Sequence, residues 1–374
     1  MSSNKYEPTM KNIRQTLFCL ILLTSILTVS CTSQPSDQSP KIGGLFALTG
    51  YAAWVGEASR DGFIMAMEDA DIQPPYIIQD FQSDLKTVAA AAQKLIDTDH
   101  VSVIIGPEWA EFGEVIFPIS LQQKTLFISP WMTFGYDAEK LKYYLSATPN
   151  ERVQLHPLVQ YMKKQGAHKI VLVYSNNAWS FGNIQIIKDE LNQAGIQVLE
   201  EFKINDEDKD FRTEILRIQQ LKPDAIYTAI ATDDGQGTFN KQLFELGLSY
   251  PMYLPYARGG SHVFLEQYGQ YAKGVVFPAP KPYKNMEAFA RKYEERFGKK
   301  PSAISAATTY DMTTLALQAI QKGASTSEEI RDYLLSIKNY EGYSNTITFE
   351  EGHVASEEVV IKQIHGKNPS ILSE

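Results

Sequence analysis

Residues 41–62 read Lys-Ile-Gly-Gly-Leu-Phe-Ala-Leu-Thr-Gly-Tyr-Ala-Ala-Trp-Val-Gly-Glu-Ala-Ser-Arg-Asp-Gly. The apolar run 42–48 has the length of a buried strand, Thr49-Gly50 makes a turn, and the glycines at 56 and 62 accompany a helix entry. A strand that feeds a helix through a short Gly-bearing turn is the opening unit of a parallel α/β sheet. In such a sheet the first strand–helix loop faces a crevice.

Downstream the same alternation continues. Phe63, Ala66, Met67 and Ala70 fall on one helical stripe, as do Val88, Ala91, Ala92 and Leu95. Short apolar runs lie at Ile42–Leu48, Val101–Ile105, Leu126–Ile128, Ile170–Tyr174 and Ala225–Ile230. Runs this short, separated by helices, predict parallel strands covered on both faces. Gly166 and Gly195 read as helix stops before strands, and Lys222-Pro223-Asp224 as a sharp stop before the strand at Ala225. The fold class expected is α/β, as two doubly wound parallel-sheet lobes in sequence.

Upstream, Lys11 and Arg14 precede an apolar stretch from Leu17 to Val29. That is shorter than the roughly 20 residues of a membrane-spanning helix and has the layout of an export signal over residues 1–30. Leu27-Thr28-Val29-Ser30-Cys31 places a small residue before a cysteine, which predicts lipidation at Cys31, with residues 31–40 as a polar, proline-bearing tether. Met10 offers a more conventional start than Met1. The only other cysteine, Cys19, lies inside the signal, so the body is expected to rest on core burial, without disulfides or thiolate metal sites.

The 374-residue chain carries a net charge of −9, and its leader is net positive, so the body is more acidic still. Without basic runs, nucleic acid is excluded as a partner and an electrostatically bound lipid face is not expected. Catalytic signatures are missing: there is no GK[ST] phosphate loop, HExxH, GxSxG or GxGxxG. Ser261-His262 lacks an acid to orient the imidazole. Asp206, Asp208 and Asp210 alternate like the start of a calcium loop, but the sixth loop position is Phe211 where glycine is needed. Asp210 is expected instead to cap a helix starting near Phe211. The six histidines are dispersed. No catalytic residue, metal site or cofactor is assigned, and the chain is not expected to be an enzyme.

Several segments in order carry a resemblance: Leu48-Thr49-Gly50 leading to Gly56-Glu57, then Asp80 and Asp84, then Val101-Ser102-Val103-Ile104-Ile105-Gly106-Pro107. Ser129-Pro130, Asp210-Phe211, Lys222-Pro223-Asp224-Ala225-Ile226, Tyr310-Asp311 and Ile347-Thr348-Phe349-Glu350-Glu351-Gly352 follow. From about Lys41 to Lys367 the chain resembles the leucine/isoleucine/valine-binding-protein family, type I periplasmic solute-binding proteins of ABC importers. The resemblance implies a clamshell: residues 41–149 with 282–340 as one lobe, 150–281 with 341–374 as the other. Three hinge strands would join them near Thr148-Pro149-Asn150, Pro278–Pro282 and Asn339–Gly342. It also implies a monomer that binds a small organic solute and docks on ABC permease subunits, held to the membrane through the Cys31 lipid on the periplasmic face. Two other roles remain open: a ligand sensor for a signalling partner, and an envelope lipoprotein that regulates an enzyme.

The loops beyond the strands' carboxyl ends contain Trp54, Trp109, Trp131 and Trp179, together with Phe112, Phe134, Phe181 and Tyr256. Rings there suit an apolar or planar solute. The stretch Gly106–Phe112, which includes Ala110, carries none of the hydroxyls with which amino-acid-binding members hold a carboxylate, while Thr133 matches the family's second hydroxyl. Where those members place an acid for the ammonium, this chain has Tyr256 and then Arg258. Two readings follow for Arg258: a clamp on a ligand carboxylate, or a latch paired with Glu108, Asp233 or Asp234. Asp233-Asp234 also offers a receptor for an ammonium group.

Overall fold

The computed structural model describes residues 40–131, 140–281, 283–350, 352–355 and 358–372. Cys31 and the leader, Thr133 and Phe134 lie outside the described residues.

The first sheet starts where the opening stretch predicts it. Strand β1 (Ile42–Phe46) leads into helix α1 (Ala53–Asp69), then β2 (Tyr76–Asp80), α2 (Leu85–Gln93), β3 (Val103–Ile105), α3 (Ala110–Gln123), β4 (Leu126–Ser129) and β5 (Tyr144–Ser146). These five strands are parallel, in the order β5-β4-β3-β1-β2. β1, β3, β4 and β5 are buried at every residue, and the first three coincide with the apolar runs read in the sequence. β2 lies at the edge and is only partly buried.

The second sheet repeats the plan. Helix α4 (Arg152–Lys164) precedes β6 (Lys169–Ser175), α5 (Ala178–Ala194), β7 (Gln197–Ile204), α6 (Arg212–Leu221), β8 (Ala225–Ala229) and α7 (Asp233–Glu245). Then come β9 (Met252–Tyr253), α8 (Tyr256–Gly259), α9 (His262–Tyr268) and β10 (Val276–Pro280). The strand order is β10-β9-β8-β6-β7. Gly195 and Lys222 end α5 and α6 in left-handed conformation, at the stops expected from the sequence.

The chain next returns to the first lobe with α10 (Met286–Phe297), α11 (Ser305–Gln321) and α12 (Ser327–Ser336). Helices α1 and α11 cross so closely that a Cβ on Gly62 would stand 2.0 Å from the Ala306 carbonyl oxygen. Only glycine fits there. Two-residue strands β11 (Tyr340–Glu341) and β12 (Thr346–Ile347) pair with each other, and Asp311 ties their loop down. Its carboxylate accepts from the Tyr343 amide (2.9 Å), the Ser344 amide (2.7 Å) and the Ser344 hydroxyl (2.5 Å).

The remaining strands move a boundary. β13 (Phe349–Glu350) and β14 (His353–Val354) extend the first sheet beside β5, whereas β15 (Val359–Ile364) and β16 (Pro369–Ile371) extend the second beside β10. The described residues from Glu341 to Val354 therefore pack with the first lobe, so the third crossing falls between Val354 and Val359, not at Asn339–Gly342. The physical reason is pairing: Phe349, Val354 and Ile347 enter the first lobe's core, and the Ser146 amide donates to the Gly352 carbonyl (2.8 Å). The first two crossings fall after Ser146 and after Pro280. The parallel sheets also gain antiparallel strands, at β13–β14, β10–β15 and β15–β16.

Candidate functional site

In an open parallel sheet the crevice forms where the strand order reverses, because the two loops leave in opposite directions there. The first sheet reverses between β1 and β3, so the loops after Phe46 and after Ile105 border it. The second reverses between β6 and β8, bordered by the loops after Ser175 and after Ala229.

On the first lobe that crevice is lined with rings. Tyr51 stacks on Trp109 at 5.9 Å between centroids, and Trp54 lies 6.4 Å from both Trp109 and Trp131. Tyr51 also stacks on Phe112, whose ring in turn meets Phe81 in a tilted contact beneath. Tyr51 is 62% exposed and Trp54 48% exposed, a large apolar area left open to solvent. Side-chain and backbone bonds fix the loops that carry them. Asp80 accepts from the Leu48 amide (2.9 Å), the Thr49 hydroxyl (2.8 Å) and the Gln82 amide (2.8 Å). Ser83 donates to the Thr49 carbonyl (2.7 Å) and accepts from the Ala52 amide (3.1 Å). The Trp109 amide donates to the Trp131 carbonyl at 2.7 Å, and Trp109 takes a left-handed φ of 62° to begin α3. The Tyr51 hydroxyl donates to Glu111; burial and then that carboxylate raise the phenol well above its ordinary range.

The second lobe's border is polar and closed on itself. Asn177 caps α5, its side chain accepting from the Ser180 amide (2.9 Å), and donates to Asp206 (2.9 Å). Thr232 caps α7 through the Gly235 amide (3.0 Å), and Ser175 accepts from the Ala231 amide (3.0 Å). Arg258 lies across this edge. It donates to the Ile230 carbonyl (3.2 Å), to the Ala231 carbonyl and to Asp233. Burial lowers the guanidinium's pKa, and Asp233 and then Asp206 act against that. Asp234 accepts from the Tyr268 hydroxyl (2.9 Å).

The sequence-predicted residues thus separate into three groups. Trp54, Trp109 and Trp131 come together, with Ala110 buried at the start of α3 beneath them. Arg258 pairs with Asp233 inside one lobe. The expectation of a free clamp for a ligand carboxylate gives way, because three donors of the guanidinium and its charge already have partners. The latch reading names the right partner, but the bond does not join the lobes. The ring of Tyr256 lies over Gly260 and packs toward the second lobe's core. Phe181 turns toward β6 and the edge strand β7, where its ring meets Tyr174 of β6 at 6.1 Å and the Lys203 ammonium of β7. It stands two residues, about 200° of helix, from Trp179. Trp179 packs against the cores of both lobes, where α3 and α5 adjoin. Tyr51 is the site residue that sequence reasoning missed, although it stands in the opening stretch one residue after the Thr49-Gly50 turn. Among the described residues no group of three or more His, Cys, Asp or Glu could hold a metal ion, and no helix is long and apolar enough to cross a membrane.

Comparison with known proteins agrees with this architecture. The family model for periplasmic binding proteins matches residues 39–368. A Leu/Ile/Val/Thr-binding protein of Salmonella typhimurium is 24% identical over 328 residues, 84% of this chain and 88% of the relative. Glutamate receptor 2.2 of Arabidopsis thaliana is also 24% identical, over 65% of this chain, which spans only 27% of the receptor's length. Among solved structures, a leucine binding protein from Thermotoga maritima superposes with a TM-score of 0.77 at 22% identity, covering 89% of this chain and 98% of that one. A solute binding protein of an ABC transporter from Rhodopseudomonas palustris, in complex with 3,4-dihydroxy benzoic acid, gives 0.73 at 21% identity, covering 89% and 95%. The relatives named here are binding proteins and receptors; none bears an enzyme's name. With a family model spanning most of the chain and two lobes of matching topology, the protein belongs to the periplasmic binding protein family and has its type I fold.

Proposed function

We propose that the chain is an extracytoplasmic solute-binding protein that captures a small organic solute with a flat or apolar body and delivers it to an ABC importer. The single observation that carries this reading is the open ring wall of Tyr51, Trp54, Trp109 and Trp131 at the first sheet's reversal point. An apolar solute laid on these rings removes their exposed area from water at about 25 cal/mol per Å². Stacking adds about 0.5–1.5 kcal/mol per ring. Contacts with the second lobe complete the enclosure, so the ligand shifts the population toward a closed form that the permease recognises. An export signal over residues 1–30 and lipid on Cys31 would hold the protein at the membrane, on the periplasmic face.

A thermal-shift screen of the chain against aromatic acids, branched-chain amino acids, organic acids, amides and amines tests this. A ligand at about a hundred times its dissociation constant adds about 2.7 kcal/mol of stability. A shift confined to solutes with a flat or apolar body supports the reading, and a cooperative melt unmoved by every class removes it. The likeness to part of a plant glutamate receptor favours a second reading, a ligand sensor. Co-purification with permease subunits rather than with a signalling partner separates the two.

A further inference from the structure

One buried group beneath the ring wall has no part in the reading above. Glu108 stands between Pro107 and Trp109 and is only 2% exposed. Neither of its carboxyl oxygens makes a well-formed hydrogen bond, and the neighbouring Ser59 hydroxyl is likewise unpartnered. The groups that face it come from four elements. They are the Ala47 amide just past β1, the Ser59 hydroxyl of α1, its own amide in the β3–α3 loop, and the Tyr144 phenol of β5. None of these is a cation. Burial keeps the carboxyl neutral up to about pH 7, and Ser59 and the two amides oppose that shift only in part. Burial holds the Tyr144 phenol neutral as well.

Its position gives this group a role. Ala47 begins the loop that carries Tyr51 and leads to Trp54, while Glu108 precedes Trp109 in the loop that carries the third ring. A neutral carboxyl lodged between the two loops is a strut; an ionised one, dry and facing no cation, is driven toward water. We propose that Glu108 is a positioning residue whose neutral carboxyl holds the Tyr51–Trp54 loop against the Trp109 loop, so that the solute-binding ring wall is assembled when Glu108 is protonated and loosens when it ionises. This rests on the ring wall being the ligand surface, but the strut itself is measurable without any ligand.

The sign follows from linkage. A carboxyl raised from 4.5 to about 7 binds its proton more tightly in the assembled state. The assembled state therefore loses up to about tenfold in its population ratio per pH unit between those values, and no more above them.

The test is tryptophan emission and acrylamide quenching of the ligand-free chain, titrated from about pH 5 to about pH 9. The expected result is a rise in wild-type quenching that develops as the pH climbs toward about 7 and levels off above it. Glu108→Gln keeps the low-pH emission throughout and has the higher Tm at the alkaline end. Flat quenching in the wild type overturns the proposal whether or not the variant folds, and so does an unchanged titration in Glu108→Gln. A failed solute screen alongside an intact titration removes the transport reading and leaves the strut standing.

Discussion

The two borders of the crevice are built on opposite principles. The first lobe's wall is a set of rings whose backbones are tied down but whose faces stay open. The second lobe's wall is a polar edge in which Arg258 pairs with Asp233, Asn177 donates to Asp206 and Thr232 caps α7. A wall that exposes apolar area has free energy to give to a ligand. A wall whose charges are already paired supplies shape and must be broken before it can supply an ion pair.

Breaking the polar wall should have the largest effect on stability. Arg258→Met leaves Asp233 and Asp206 without their cation at a site where the guanidinium side chain is 11% exposed. It should cost about 3–5 kcal/mol in urea unfolding. Adding Asp233→Asn should recover much of that loss. If the double variant is no more stable than the single one, the pair is not a unit and the contrast between the walls weakens.

A smaller cost is expected from Asp80→Ala, which removes two hydrogen bonds that clasp the Tyr51 loop to β2 and a third that closes the turn at Gln82. The expected loss is about 1–3 kcal/mol of stability, with the tryptophan emission altered in addition. Unchanged emission would show that the rings are placed without the clasp.

The ring wall itself should behave the other way round. Trp54→Ala removes a half-exposed side chain and should hardly move Tm. It should weaken a ligand found in the screen by roughly tenfold, the equivalent of about 1.4 kcal/mol. A tight ligand unaffected by Trp54→Ala would place the solute elsewhere. The smallest effect serves as the control. Thr326→Ala removes the capping box at the start of α12, in which Thr326 and Glu329 bond each other's amides. It should cost about 1 kcal/mol and leave binding untouched.

Much of the fold could be read locally. Ile42–Phe46, Val103–Ile105 and Leu126–Ile128 carry no polar side chain because both faces of a central parallel strand are covered, and such a run needs no knowledge of its neighbours. The stops at Gly195 and Lys222-Pro223 could be read for the same reason, since backbone conformation is a property of a few residues. The tail from Tyr340 onward could not. Its strands are two to six residues long, and only the partner strand decides which sheet each one joins. The site divides similarly. That Trp54, Trp109 and Trp131 gather at one crevice follows from their places after strand ends. That Arg258 turns to Asp233, and that Trp179 meets the cores of both lobes, depends on neighbours distant in sequence.

By itself, the sequence determined that this protein alternates strands and helices into two parallel layers, and that its tryptophans follow the strand ends, in the loops or the first turn of the next helix. Those properties follow from hydrophobic period, turn chemistry and chain length, all set within a few residues. Only the tertiary structure decided which charges remain available. A buried side chain's charge is settled by whichever partners the fold brings within hydrogen-bond reach: for Arg258 that is Asp233, and for Glu108 it is no cation among the described residues.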